Sequence, residues 1–503
     1  MTQAPARPQS GPDSPRPGAT FESLDPATGE VVGVFPVHGE DEVREAVARA
    51  RKAGEWWSGL SFKERKVYLN TWKSAMVRRL PELADLMRRE MGKPHSDAML
   101  EATLAVDHIA WAAGHAGKVL GRHRVSPGML MVNQAATLEF RPLGVVGVIG
   151  PWNYPVFTPM GSIAYALAAG NAVVFKPSEH TPAIGEWLAR TFGECVGRPV
   201  FQVVTGRGET GAALCRAGVD KVAFTGSAAT GKRVMAACAE TLTPVVIEAG
   251  GKDPLIVDAD ADIAAAADAA LWGACSNAGQ TCAGVERVYV HERVYDEFLA
   301  EITHRAQDLS AHAGDDAKIG PITMPSQLGV IRRHIDDALA RGGRAVVGGA
   351  HAVGERFVQP TILVDVPEDS AAVQEETFGP TVTIAKVRDM DEAVALANGT
   401  AYGLGATVFS KDNGMAIAER IRSGMTAINA VISFAAIPSL PFGGVGESGF
   451  GRIHGAEGLK EFTYAKAIAR QRFKPALALT TFDRTAQADR RLAAIVRTLH
   501  GRG

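Results

Sequence analysis

From Leu143 onward, short β-rich runs alternate with helical ones, and this alternation constrains the fold more than any other feature of the chain. The runs VVGVIG, NAVVFKP, VFQVVTG, KVAFTGS and TPVVIEAGG are bounded by Gly, Pro or Asn. Between them lie MGSIAYALAAG, AIGEWLARTFGEC and SAATGKRVMAACAE, which read as helices. Strands separated by helices return in the same direction, so the pattern predicts a parallel, doubly wound sheet. Its ligands should bind at the carboxyl ends of the strands. A second alternating region, including RVYVHERVYDEFLAEI, TVTIAKV and TAINAV, predicts another α/β domain.

Ahead of these regions, FESLDPATGEVVGVFPV places two apolar runs around a turn signal. Ser61 and Glu64 have capping-box spacing, after which Val67, Leu69, Trp72, Ala75 and Met76 fall on one helical side. Pro81 suits a helix start, while Gly92 and Pro94 mark an end. Residues 1–20 are rich in Pro, Ser and Gly and predict a disordered lead.

At 503 residues the chain predicts two or three domains with a large core. A net charge of -2 gives no reason to expect nucleic acid or a membrane as partner. The apolar runs are far shorter than a membrane span, so the expected location is cytoplasmic. The five cysteines form an odd, sparse set that fits a reducing compartment. With no CxxC and no nearby histidine pair, no metal site is expected. Cys195, Cys215 and Cys238 read as inert core thiols, and Cys275 is left open.

Several motifs carry two readings each. Gly206, Gly208 and Gly211 form GxGxxG after a strand, but no acid stands some 20 residues on, against an ordinary dinucleotide fingerprint. FTGSAATG runs from a strand into a helix start, which is either a phosphate site or a plain serine-capped turn. KPSE either holds a ribose or is a solvated turn. In PWNYP, two prolines stiffen the turn carrying Asn153, a candidate oxyanion donor or an Asx-type turn residue. Glu248 follows four apolar residues, which would raise its pKa toward general-base duty unless it is a solvated strand end. Cys282 sits in NAGQTCAG, where small neighbours leave room for a ligand.

The motifs PWNYP, NAVVFKPSEHTP, FTGS, VVIEAGGKDP, NAGQTC, EETFGP and PFGGVGESGFGR, in this order, together resemble the NAD(P)-dependent aldehyde dehydrogenase superfamily. The resemblance runs from about Phe21 to about Ala469. It implies Cys282 as nucleophile, Glu248 as general base and Asn153 as oxyanion donor. Trp152, Lys176, Glu179, Gly226, Ser227, Gly231, Glu376 and Phe378 match cofactor positions, and Gly208 joins them as a lining candidate. The cofactor implied is NAD, with NADP as the alternative, because a carboxylate at Glu179 repels a 2′-phosphate.

The implied reaction oxidises an aldehyde to the acid through a cysteine thiohemiacetal and thioester. A broad or apolar aldehyde is favoured, with a succinate semialdehyde-like substrate as the alternative. Rival readings are a coenzyme A-acylating relative, a non-enzymatic binding protein on the same fold and a cysteine hydrolase. Ala249 and Ser276 depart from the commoner leucine and aromatic residue, which predicts looser packing beneath Glu248 and a wider or more polar tunnel.

The implied architecture is two doubly wound α/β domains plus a small β oligomerisation ribbon. Residues 21–122 and 142–248 form the cofactor domain and residues 249–445 the catalytic domain. The ribbon takes residues 123–141 and 446–480, followed by a tail at 481–503. A homodimer or homotetramer is expected.

Overall fold

The computed structural model describes residues 18–314, 316–475, 477 and 480–501. The sequence lead at 1–20 lies almost wholly outside these, and regular structure begins with the strand Thr20–Leu24.

The five runs read from the sequence form one six-stranded sheet. Its order is Gly449–Phe450, Val245–Ala249, Lys221–Gly226, Val145–Ile149, Ala172–Lys176, Phe201–Val203. All neighbours are parallel except the edge strand Gly449–Phe450. Helices cover both faces, so every residue of Val145–Ile149 and Ala172–Lys176 is buried, which explains their unbroken apolar character. The chain leaves Val145–Ile149 toward one edge and later returns on its other side. That reversal opens a crevice at the carboxyl ends of Val145–Ile149 and Lys221–Gly226, where PWNYP and FTGS begin.

A second sheet has seven strands in the order Arg344–Val347, Thr361–Val364, Thr381–Val387, Val285–His291, Asp253–Val257, Gly405–Phe409, Met425–Ile428. It is parallel apart from its first pair. Leu255, Val288, Ile331, Ile362 and Ile384 belong to its main core cluster.

Ser61 caps the helix Phe62–Arg78, accepting from the Glu64 N–H at 3.3 Å while Glu64 accepts from the Ser61 N–H at 2.7 Å. Leu69, Trp72 and Met76 are buried on its inner side; Val67 is exposed instead, lying off the stripe. The next helix, Leu80–Met91, ends at Gly92 in the left-handed region, φ 75°.

The chain divides into a larger unit, residues 1–119 and 142–463, and a smaller one, residues 120–141 and 464–503. The smaller unit carries the three-stranded sheet of Thr463–Gln471, Gln134–Pro142 and His123–Val125. Residues 446–463, expected in the ribbon, sit in the larger unit, because Gly449 and Phe450 pair with Glu248 and Ile247.

Candidate active site

A cleft of about 750 Å³ opens where the six-stranded sheet reverses. Asn153, Glu248 and Cys282 all line it, together with Trp152, Lys176, Glu179, Gly208, Gly226, Ser227, Glu376 and Phe378. Gly231 is not among the lining residues. Its Cα faces Ile247 and Phe224, so its smallness serves packing of the helix on the sheet. Arg207 and Arg233 also line the cleft and were not read from the sequence.

Cys282 follows a turn that only a special sequence can adopt. Asn277, Ala278 and Gly279 are consecutively left-handed, with φ of 52°, 58° and 70°. Asn tolerates this region and Gly is free of strain there. A Cβ at Gly279 would collide with the main chain of Gly379. The glycine is therefore required twice, by its φ and by the close approach.

The turn is tied to the Asn153 loop by a closed set of hydrogen bonds. Asn277 Nδ2 donates to Asn153 O at 2.9 Å and to Gln280 O at 3.1 Å. Asn153 Nδ2 donates to the same Gln280 O at 2.9 Å, leaving its second N–H for a ligand. Tyr154 Oη meets Thr281 Oγ1 at 3.0 Å.

Two residues absent from the sequence reading hold the other side of this loop. Lys93, fully buried, donates to Asn153 O at 3.0 Å, pairs with Glu101 and lies over the Tyr154 ring at 3.8 Å. Glu101 in turn accepts from Val156 N at 2.8 Å and Phe157 N at 3.1 Å, satisfying the start of the helix Phe157–Ala169. GKP was visible as a helix end, but nothing local announced a partner sixty residues away.

This clamp makes a test. Lys93→Met should cost about 3–5 kcal/mol of stability by leaving the buried Glu101 carboxylate without its cation. The double variant Lys93→Met with Glu101→Gln should recover most of that in a thermal melt. It should still turn over about 10–100-fold more slowly with unchanged cofactor affinity, because the donor amide is no longer fixed. Wild-type turnover in the folded double variant would show that the clamp serves stability alone.

Glu248 is buried at the end of its strand, with both carboxyl oxygens unpaired. Burial raises its pKa to about 7, against smaller opposing effects of Cys282 and Thr225. Burial pushes the Cys282 thiol well above its usual range, and the nearby Glu248, Glu376 and Asp253 carboxylates add to this. The resting group is thus a thiol beside a base whose pKa is close to neutral. Ala249, next to Glu248 in the strand, is 1% exposed. Ser276 is buried with an unpaired Oγ and does not line the cleft.

Glu376 is held by a network the sequence did not announce. Glu286 accepts from Thr377 N at 2.8 Å and Phe378 N at 3.0 Å, and pairs with buried Lys252. Lys252 also donates to Thr377 Oγ1 at 3.0 Å. Phe378 is left-handed, φ 51°, and its ring meets Trp152 edge-on at 5.5 Å. Burial, then Glu286, raises Glu376 to about 8. Paired hydroxyls donating to it would favour its ionised form.

At the opposite end, Lys176 is 5% exposed and stands 3.5 Å from Glu179. Burial is the largest single influence on Glu179 and works against its ionised form, yet Lys176, its own backbone N–H and His180 together outweigh it and its carboxyl falls below the ordinary value. The helix Ala228–Ala239 starts at Ser227, whose side chain caps Thr230 N, and so aims unpaired N–H groups at the cleft. Cations, a helix start and buried acids within one cleft fit a dinucleotide.

Of the other thiols, Cys215 and Cys238 are buried. Cys195 is only partly covered. Cys275 is buried, and burial alone takes it to about 12, an inert thiol. Among the described residues, no group of His, Cys, Asp and Glu is arranged to hold a metal ion.

A doubly wound sheet with such a cleft defines a dinucleotide-dependent oxidoreductase, and comparison with known proteins narrows the class. The aldehyde dehydrogenase family model matches residues 14–468. A 4,4'-diapolycopene aldehyde oxidase from Methylomonas sp is 37% identical, over 88% of this chain and 84% of that one. A succinate-semialdehyde dehydrogenase [NADP(+)] from Escherichia coli is 36% identical, over 89% and 94%. The crystal structure of an NAD-dependent aldehyde dehydrogenase from Sinorhizobium meliloti superposes with a TM-score of 0.88 at 33% identity, over 93% and 94%. The chain belongs to the aldehyde dehydrogenase family. It is an NAD(P)-dependent oxidoreductase that oxidises an aldehyde to the carboxylic acid.

Proposed function

We propose that Cys282, Asn153 and Glu248 perform this oxidation with a hydrolytic second half. The observation that carries the reading is their convergence on one cleft whose far end holds Lys176 and Glu179. Cys282 attacks the aldehyde carbon as its thiolate, its proton having passed to solvent, so Glu248 stays ionised for the second half. The free N–H of Asn153 donates to the resulting oxyanion, a contact worth roughly 3 kcal/mol in a site closed to water. When bound, NAD supplies the acceptor for the hydride that leaves the thiohemiacetal carbon, and a thioester remains on Cys282. Glu248 then takes a proton from water as that water attacks the thioester, releasing the acid and the thiol. A carboxyl poised near neutral pH supports hydrolysis over transfer to coenzyme A.

Lys176 and Glu179 hold the adenosine ribose, Ser227 and Gly226 with the helix start the pyrophosphate, and Glu376 the nicotinamide ribose. Trp152, Phe378 and Gly208 line the walls. Glu179 favours NAD. Glu179→Ala should shift the ratio of kcat/KM for NADP over NAD upward by about tenfold or more, as loss of carboxylate repulsion requires. An unchanged ratio would remove Glu179 from cofactor choice.

The substrate is an uncharged, largely apolar aldehyde. Residues 97–108, 154–165, 276–281 and 431–442 pack around the Asn153 turn and the helix that follows it, and contain no lysine or arginine. Phe157, Phe434, Phe442 and His454 cluster there, and burial keeps His454 neutral. A relative named for a diapolycopene aldehyde fits this reading. The relatives named for succinate and glutarate semialdehydes favour an acid-bearing substrate as the second one. A panel of long apolar, short, aromatic and acid-bearing aldehydes, with NAD or NADP and with or without coenzyme A, separates these. The highest kcat/KM should fall on an apolar aldehyde without coenzyme A; a preference for acid-bearing aldehydes would reverse the order.

The enzyme acts as a homodimer or homotetramer in a reducing, cytoplasmic setting. Exposed Met129, Val132, Tyr464 and Ile468 on the smaller unit support association. Among the described residues, no helix is long and apolar enough to cross a membrane.

A further inference from the structure

Cys282 and Asn153 line the cofactor cleft, so with a dinucleotide in place the tail of an aldehyde must leave between elements that do not line it. Three contacts join such elements into a ring. Asn277 N donates to Asp97 Oδ2 at 3.3 Å, tying the turn before Cys282 to the start of the helix His95–Leu120. The helix Ile263–Cys275 runs into that turn and packs at Gly273 on Val431, where a Cβ would stand 3.0 Å from the Val431 side chain. Residues 431–442 then return to the first helix, Ala435 O accepting from His108 Nε2 at 3.2 Å.

The outer edge of this ring is apolar. Leu100, Leu104 and His108 follow one another at four-residue steps, so they form one stripe from the Asp97 end toward residues 431–442. Each arm of the ring then exposes a large apolar side chain, Leu100 at 47%, Trp272 at 41% and Ile437 at 43%. None of the three lines the cofactor cleft. Residues 431–442 contain no charged residue, and Asp268, the single acid of the helix Ile263–Cys275, is paired with Arg305 at 3.0 Å. Apolar area left in water on three converging elements is area that a hydrocarbon chain gains by covering.

We propose that Leu100, Trp272 and Ile437 form an apolar rim that holds the distal hydrocarbon tail of a long-chain aliphatic aldehyde while its carbonyl carbon sits at Cys282. The rim, which rests on the apolar-aldehyde reading above, sets the preference for chain length. Each methylene that reaches it exchanges water for leucine, isoleucine or indole surface, a gain of up to about fourfold in kcat/KM. A short aldehyde bonds to Cys282 without touching the rim and gains nothing from it.

The test is a series of unbranched alkanals from propanal to dodecanal, with kcat/KM read from cofactor absorbance. In the wild type kcat/KM should climb with chain length, by up to about fourfold per methylene. Leu100→Gln with Ile437→Gln, and separately Trp272→Gln, should flatten the climb, so that the ratio of dodecanal to propanal falls about tenfold. All three side chains are exposed, so these changes cost little stability and the variants should melt with the wild type. A flat wild-type series, or variants whose series climbs as steeply as the wild type's, would overturn the rim. So would loss of oligomer mass in either variant with an unchanged series, since a second copy would then cover these side chains. A wild type that prefers acid-bearing aldehydes to alkanals would defeat the apolar reading as well, whereas a climb that the variants leave intact defeats the rim alone.

Discussion

Cys282→Ala is expected to lower aldehyde-dependent reduction of NAD by on the order of 10⁵-fold, the scale seen when a covalent nucleophile is removed. Each other group lining the cleft near it, Glu248, Glu376 and Asn153, is a poor nucleophile toward a carbonyl. The variant should fold and bind cofactor normally, because Cys282 makes no contact on which the left-handed turn depends. That turn is held instead by Asn277, Gln280 and the Asn153 carbonyl. Cofactor affinity measured by fluorescence therefore separates loss of chemistry from loss of the site. Turnover within tenfold of wild type would exclude the thiol from the covalent step.

Glu248→Gln should have the second largest effect, lowering steady turnover about 10²–10⁴-fold as expected for loss of a general base. One equivalent of reduced cofactor should still form, because hydride loss precedes the attack of water. The pH dependence follows from the direction of the shift. Burial raises the Glu248 carboxyl to about 7, and only its ionised form can accept a proton. Wild-type kcat should therefore rise as pH increases through about 7 and fall below it. In the Gln variant the residual rate should lack this inflection. An unchanged inflection near 7 in the variant would assign the titration to another group.

The strands were legible because parallel strands covered on both faces must be apolar throughout, and Gly, Pro and Asn mark their ends. Asn153, Glu248 and Cys282 were legible because each sits in a short motif whose neighbours are too polar, too small or too stiff for a plain core. What could not be read was held together through space. Lys93 and Glu101 reach the Asn153 loop from another helix, and Glu286 with Lys252 braces Glu376 across the second sheet. Ala278 is helical by propensity, yet the close approach of Gly279 to Gly379 forces the left-handed path. Gly231 had the right motif and the wrong direction, because one helical turn past Ser227 the chain faces the sheet.

The central claim is that the aldehyde carbon becomes acyl-bonded to Cys282 before water enters. Intact-mass and peptide analysis of acid-quenched Glu248→Gln enzyme, mixed with aldehyde and NAD, measures this directly. The account predicts one adduct per active chain, on the peptide containing Cys282, equal in mass to the aldehyde less two hydrogens. Reduced cofactor formed in stoichiometric amount, with no adduct on Cys282 or with the adduct on another residue, would contradict it.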